Sequence, residues 1–139
     1  MKNSSRVLQS VVWTVTFSFA CTFVSTQSVP KSAGWYTNEQ AANGAQAYQK
    51  TCATCHGAKL QGGMAPALIG RQFWLTYGGK KISTLWSAVH TQMPMMEPGS
   101  VPAKASINIM AFLLKKNGVL SGTIPLDDTT ALSKVLPSK

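Results

Sequence analysis

Residues 52–56 read Cys-Ala-Thr-Cys-His. The two thiols stand three positions apart, about one helical turn, and an imidazole follows directly. A disulfide across this pair would close only a four-residue loop and constrain little. A zinc site would use all three residues but lacks a second ligand pair. A thioredoxin-like redox pair belongs in a βαβ setting, which the surrounding pattern does not offer. The spacing fits covalent attachment of haem, in which two thiols add to the vinyl groups along one ring edge and the next histidine binds iron from below. A chain built on this motif must place a large, flat, apolar group at its centre.

With 139 residues, 45% hydrophobic and 12% charged, the chain suits one small core and does not match the composition of disorder. Its three cysteines are too few for a disulfide-dense scaffold. Thirteen basic against four acidic residues give +9, but the densest runs are the pairs Lys80-Lys81 and Lys115-Lys116. Without a basic block interleaved with aromatics, nucleic acid is not the expected partner.

Lys2 and Arg6, then the uncharged stretch from Val11 to Val24 and polar Ser25-Thr26-Gln27-Ser28, have the form of a secretory signal over residues 1–28. The apolar run is about 14 residues, short of the ~20 that span a bilayer, so no membrane span is expected after cleavage. Cys21 behind Ala20 offers a lipid anchor as the alternative, with Ser18 standing where such sites carry an aliphatic residue. Removing Lys2 and Arg6 leaves 11 basic and 4 acidic residues, so the exported chain carries +7.

The rest divides into a leader (29–36), a domain (37–118) and a tail (119–139) that packs on it. Thr37-x-x-Gln40 has capping-box spacing, and Ala41, Ala45, Tyr48 and Cys52 then recur at helical intervals, predicting a helix over about 38–53. Gly44 inside it costs ~1 kcal/mol, which makes sense if another element packs closely there. Glycines and Pro66 make 57–70 a loop. A second helix is expected over 83–91, with Leu85, Trp86 and Val89 as its buried stripe, and a third over about 102–116, opened by Pro102 and closed by Lys115-Lys116-Asn117-Gly118. In the third helix Ile107, Met110, Ala111 and Leu114 form the inward stripe. A short tail helix starting at Asp127 or Asp128 would turn Leu132, Val135 and Leu136 inward.

Haem iron needs a sixth ligand or an open site, and the chain offers Met64, Met93, Met95, Met96, Met110 and His90. Met93 leads, because Pro94 biases it to extended backbone from which a thioether projects out of a loop. His90, three residues away, is the main competitor, with Met95 and Met96 behind it. Met110 has core spacing, and Met64 falls on the loop expected beside His56.

Several stretches together are similar to the monohaem class I cytochromes c, and more closely to the cytochrome domains accompanying periplasmic quinoprotein alcohol dehydrogenases and sulfur-compound dehydrogenases. They are Tyr36-Thr37-x-x-Gln40-Ala41 with Gly44 and Tyr48, Cys52 to Ala58, Leu60-x-Gly62-Gly63-x-Ala65-Pro66-Ala67-Leu68, Met93-Pro94-x-x-x-Pro98-Gly99-Ser100, and Ala111-Phe112-Leu113-Leu114-x-x-Asn117-Gly118. The resemblance spans about residues 36–136. It implies an all-α fold of short helices around one covalent haem c, with Cys52 and Cys55 as attachment points and His56 and Met93 as iron ligands. By the same likeness the Pro66 carbonyl would accept a hydrogen bond from His56, Leu68 would lie on the haem edge, and Gly44 and Tyr48 would cross the C-terminal helix near Phe112. Tyr77, Lys81 and Ser106 depart from what relatives often carry, so Arg71, Tyr77 and Lys80 are the candidates left near the propionates. The expected function is non-catalytic: a periplasmic single-electron carrier between redox proteins with acidic docking surfaces. The alternatives are a cytochrome subunit of a periplasmic dehydrogenase and a haem-based gas sensor in which Met93 dissociates.

Overall fold

The computed structural model describes residues 34–127 and 131–139, and the expected signal segment with Cys21 lies outside them. Helix α1 (Asn38–Thr51) starts at the capping box: the Gln40 amide N–H donates to Thr37 Oγ1, and the Thr37 N–H donates back to Gln40 Oε1, both at 3.2 Å. The same Gln40 side chain donates to the Leu126 carbonyl at 2.7 Å and accepts from its N–H at 2.8 Å, so one residue caps the helix and holds the tail. Helix α2 (Ala53–His56) follows after Cys52.

Helix α5 (Ala103–Lys116) has Pro102 as its N-cap and lies across α1. The two meet at Gly44, where a Cβ would stand 1.7 Å from the Asn108 carbonyl oxygen, so only glycine admits the contact. One helical turn later the Tyr48 and Phe112 rings lie 5.4 Å apart. Of the expected stripe on α5, Met110, Ala111 and Leu114 are fully buried and Ile107 half-buried, and Ile109 and Leu113 are buried beside them.

Helix α3 (Gly70–Tyr77) has no counterpart among the expected helices. It begins at a glycine with φ +67°, buries only Phe73, and has no side-chain cap from a neighbour in sequence. Its first N–H is satisfied instead by Asn117 Oδ1, at 2.9 Å and 47 residues away. The expected helix at 83–91 is present in two parts: α4 (Ile82–Trp86) runs into a π-helical turn over Ser87–Gln92. Ser87, Thr91 and Gln92 brace that wider turn through side-chain bonds of 2.7–3.2 Å.

In the tail, Asp128, one of the two expected starts of a short helix, lies outside the described residues. A 3₁₀ turn covers Ala131–Ser133, and then residues 134–136 run extended, with an isolated Lys81–Val135 antiparallel bridge. Alternation in an extended segment sends neighbours to opposite sides, so Leu136 is buried whereas Val135 is 55% exposed and faces out, not in. Upstream, Trp35 and Tyr36 pair with Leu120 and Gly122 through backbone bonds, and the Tyr36 hydroxyl donates to the Val119 carbonyl at 2.7 Å. No helix among the described residues is long and apolar enough to cross a membrane.

Candidate haem site

The end of α1 and the one turn of α2 carry the motif. Cys52 N–H donates to the Tyr48 carbonyl, and the N–H groups of Cys55 and His56 both donate back to the Cys52 carbonyl, which fixes the two thiols and the imidazole along one turn. Both thiols are free; Cys52 is half-buried and Cys55 exposed. Burial pushes the Cys52 thiol up, the Thr51 hydroxyl at 3.3 Å pulls it back, and Cys55 adds a smaller upward push. Burial, with Cys52 adding to it, pushes the Tyr48 hydroxyl up to about 12. That hydroxyl donates to the Gly57 carbonyl at 2.7 Å and ties α1 to the turn after His56.

The glycine-rich loop folds back beneath the motif through Gly62 N–H to the His56 carbonyl and Ala65 N–H to the Cys55 carbonyl. This brings the Pro66 carbonyl to 2.7 Å from His56 Nδ1. A carbonyl can only accept, so Nδ1 carries the proton and Nε2 is left with its lone pair. The contact is the one the resemblance implied.

Cys52, Cys55, His56 and Met93 line one cavity of about 470 Å³, within the range of small-molecule and cofactor sites. Leu68, Leu85, Val89, Ile109 and Leu113 make much of its wall apolar, and Tyr77 and Pro66 also reach it. Met93 leaves the π-helical turn in extended conformation, φ −118° and ψ 154°. Met64, Met95 and Met96 line the same cavity but are strongly exposed, at 77%, 79% and 91%. Met110 is buried elsewhere in the core. His90 is outside the cavity wall: its ring stacks on Trp86 at 4.3 Å and its Nδ1 lies 3.2 Å from Ser106 Oγ. Arg71 and Lys80 are exposed and also stand outside the wall.

By its place in the pattern Asn117 reads only as part of a helix terminus. Its amide also donates to the Leu68 carbonyl at 3.0 Å and to the Leu113 carbonyl at 2.8 Å, so it hangs the cavity-lining Leu68 and the start of α3 from the end of α5. The residues fit a haem: an apolar chamber, two free thiols in its wall, an imidazole with one nitrogen already committed, and a thioether. 

Residues 39–113, more than half the chain, match the family described as "Cytochrome C oxidase, cbb3-type, subunit III". The chain belongs to this family of c-type cytochrome domains. Its cofactor is accordingly haem c, bound covalently through cysteine, and its fold is the all-α class I cytochrome fold. Among solved structures, this cytochrome domain is similar to the sulfane dehydrogenase SoxCD from Paracoccus pantotrophus, at 29% identity and TM-score 0.58, over 70% of this chain and 53% of that one. The cytochrome thus spans about half the length of that relative. Weaker matches are thiosulfate dehydrogenase (TsdBA) from Marichromatium purpuratum, at 23% identity and TM-score 0.45 over 52% of this chain and 17% of that one, and cytochrome CL from Methylophaga aminisulfidivorans, at 16% and 0.45 over 63% and 71%. No curated protein matches the sequence.

Proposed function

We propose that Cys52 and Cys55 carry the covalent links, that His56 and Met93 bind the iron, and that the protein is an exported, periplasmic single-electron carrier. In this reading residues 1–28 are a cleaved signal, 29–36 a leader, 37–118 the cytochrome domain and 119–139 its tail. The observation that carries it is the pinned imidazole: His56 is held by Pro66 with Nε2 free, in the wall of a cavity shared with both thiols and Met93. When bound, the haem supplies reversible one-electron transfer at iron. The chain's own residues orient and polarise it. The Pro66 contact fixes the His56 ring and its tautomer, the apolar wall keeps water from the haem ring, and a thioether raises the reduction potential.

Met93→Ala tests the assignment. The long-wavelength charge-transfer band of ferric, thioether-ligated haem should disappear entirely, and the reduction potential should fall. A band that survives Met93→Ala but vanishes in a Met95 or Met96 variant would move the ligand along the loop.

The charge supports acidic redox partners. Two ionised propionates would lower the exported chain's +7 only to about +5. Lys50 and Lys104 line a surface recess with Thr51, which also lines the haem cavity, and neither lysine has a carboxylate partner among the described residues. Bimolecular electron transfer with an acidic redox protein should slow by about tenfold or more as ionic strength rises from ~0.01 to ~0.15 M, where the Debye length shrinks from ~30 to ~8 Å. A flat rate would remove the docking role of these lysines. A second reading, a cytochrome subunit of a dehydrogenase, is favoured by the likeness to the sulfane dehydrogenase chain, and stable co-purification with a large catalytic subunit would select it.

A further inference from the structure

The segment carrying Met93 is weakly held from within. Between Met93 and Ser100 the backbone makes three turn bonds, Glu97 N–H to Pro94, Gly99 N–H to Met93 and Ser100 N–H to Glu97, the second at 3.4 Å, and Met95 to Ser100 are exposed. What holds its two ends lies outside it. On one side is the π-helical turn Ser87–Gln92, whose last residue directly precedes Met93. On the other is Val101, buried and lining the cavity.

One chain of contacts joins the two ends. The Ser106 hydroxyl, fully buried on the first turns of α5, donates to the Val101 carbonyl at 3.3 Å. Its single proton is thereby used, so at 3.2 Å it accepts from His90 Nδ1–H. His90 is further fixed by its stack on Trp86, one turn earlier in α4.

We propose that His90 is a positioning residue for Met93: through Ser106 it fastens the π-helical turn to Val101 and closes the base of the loop that presents the thioether. This rests on the reading of Met93 as an iron ligand. Without the clamp, the two ends of the loop are free to part, and the thioether spends more time away from the iron.

The test uses the ferric holoprotein and added imidazole, which competes with Met93 for the iron. His90→Phe keeps a ring to stack on Trp86 but removes the nitrogen, and Ser106→Ala removes the hydroxyl. Each should raise the imidazole affinity by about fivefold, the size of one hydrogen bond, and the double variant should show no more than either alone. His90→Asn, whose amide reaches the place of Nδ1, should restore most of the wild-type value. Tyr36→Phe, which deletes a remote hydrogen bond to Val119, should lower the denaturation midpoint without moving the imidazole affinity.

A wild-type protein without the thioether band would overturn the ligand assignment and this inference together. With that band present and lost in Met93→Ala, imidazole affinities within twofold of wild type in the His90 and Ser106 variants would overturn the clamp alone. Effects that simply add in the double variant would do the same.

Discussion

Exported protein in which Cys52 and Cys55 are both replaced by alanine is expected to emerge without bound haem and without cooperative structure. The two thiols are the covalent anchors, and the cavity they border is not a void that the rest of the core covers. At about 470 Å³ it is walled by residues of α1, α3, α4 and α5 at once. Left empty, it opens the apolar side chains of Leu68, Leu85, Val89, Ile109 and Leu113 to water, at about 1.5–3 kcal/mol for each one fully exposed. Domains of this size have only about 5–15 kcal/mol of total stability. Partial collapse of the walls recovers some of that cost, but it pulls Leu68, Leu85, Ile109 and Leu113 from their places at once. The wild-type protein, produced with the haem-ligation machinery, should keep its haem through acid and organic extraction and show the added mass of one haem. The double variant should show neither that mass nor a cooperative denaturation curve. Extractable haem in the wild type, or a native-like unfolding transition in the double variant, would contradict the proposed anchoring.

The parts of the site that were legible in the sequence are those where chemistry or local geometry prescribes the spacing. Covalent attachment demands two thiols one turn apart with the imidazole next, so Cys52, Cys55 and His56 stand out from any background. The capping box at Thr37 and Gln40 and the stripes of α1 and α5 are equally local, and both helices lie where the pattern put them. Pro66 is different: nothing within the loop says which carbonyl will reach His56, and only the resemblance to cytochromes pointed there. Helix α3 was not legible at all. Eight residues with one buried side chain give no period to detect, and its first amide is satisfied by a residue 47 positions away. The same distance hides the second task of Asn117. The π-helical turn is invisible for another reason: its polar residues hold each other's side chains and backbone, a pairing that a 3.6-residue pattern cannot reveal. Arg71, Tyr77 and Lys80 were candidates near the propionates only through the resemblance; Tyr77 lines the cavity, while Arg71 and Lys80 are exposed outside its lining.

Gly44→Ala should be among the most damaging single substitutions that leave the haem ligands untouched. In an exposed helix this change is favourable by ~1 kcal/mol, because glycine loses the most backbone entropy on folding. Here the added methyl would stand 1.7 Å from the Asn108 carbonyl oxygen, 2.4 Å from its carbon and 3.0 Å from the Ile109 nitrogen. All three are backbone atoms within α5, so no side-chain rotation can relieve the contact. The helices must move apart, and that parts the Tyr48–Phe112 ring pair one turn away and shifts Ile109 and Leu113, which wall the haem cavity. Overpacking of this kind costs about 1–3 kcal/mol, occasionally more, and the whole contact being backbone places it at the upper end. After the gain in helix propensity, a net loss of about 2 kcal/mol is expected, equivalent to roughly 8–16 °C in the melting temperature of a domain near 100 residues. Thermal and chemical denaturation of the holoprotein measure it, with Asn43→Ala, exposed on the preceding position of the same helix, as a control that should stay within ~0.5 kcal/mol of wild type. A Gly44→Ala protein as stable as wild type would mean that α1 and α5 do not approach each other at this residue.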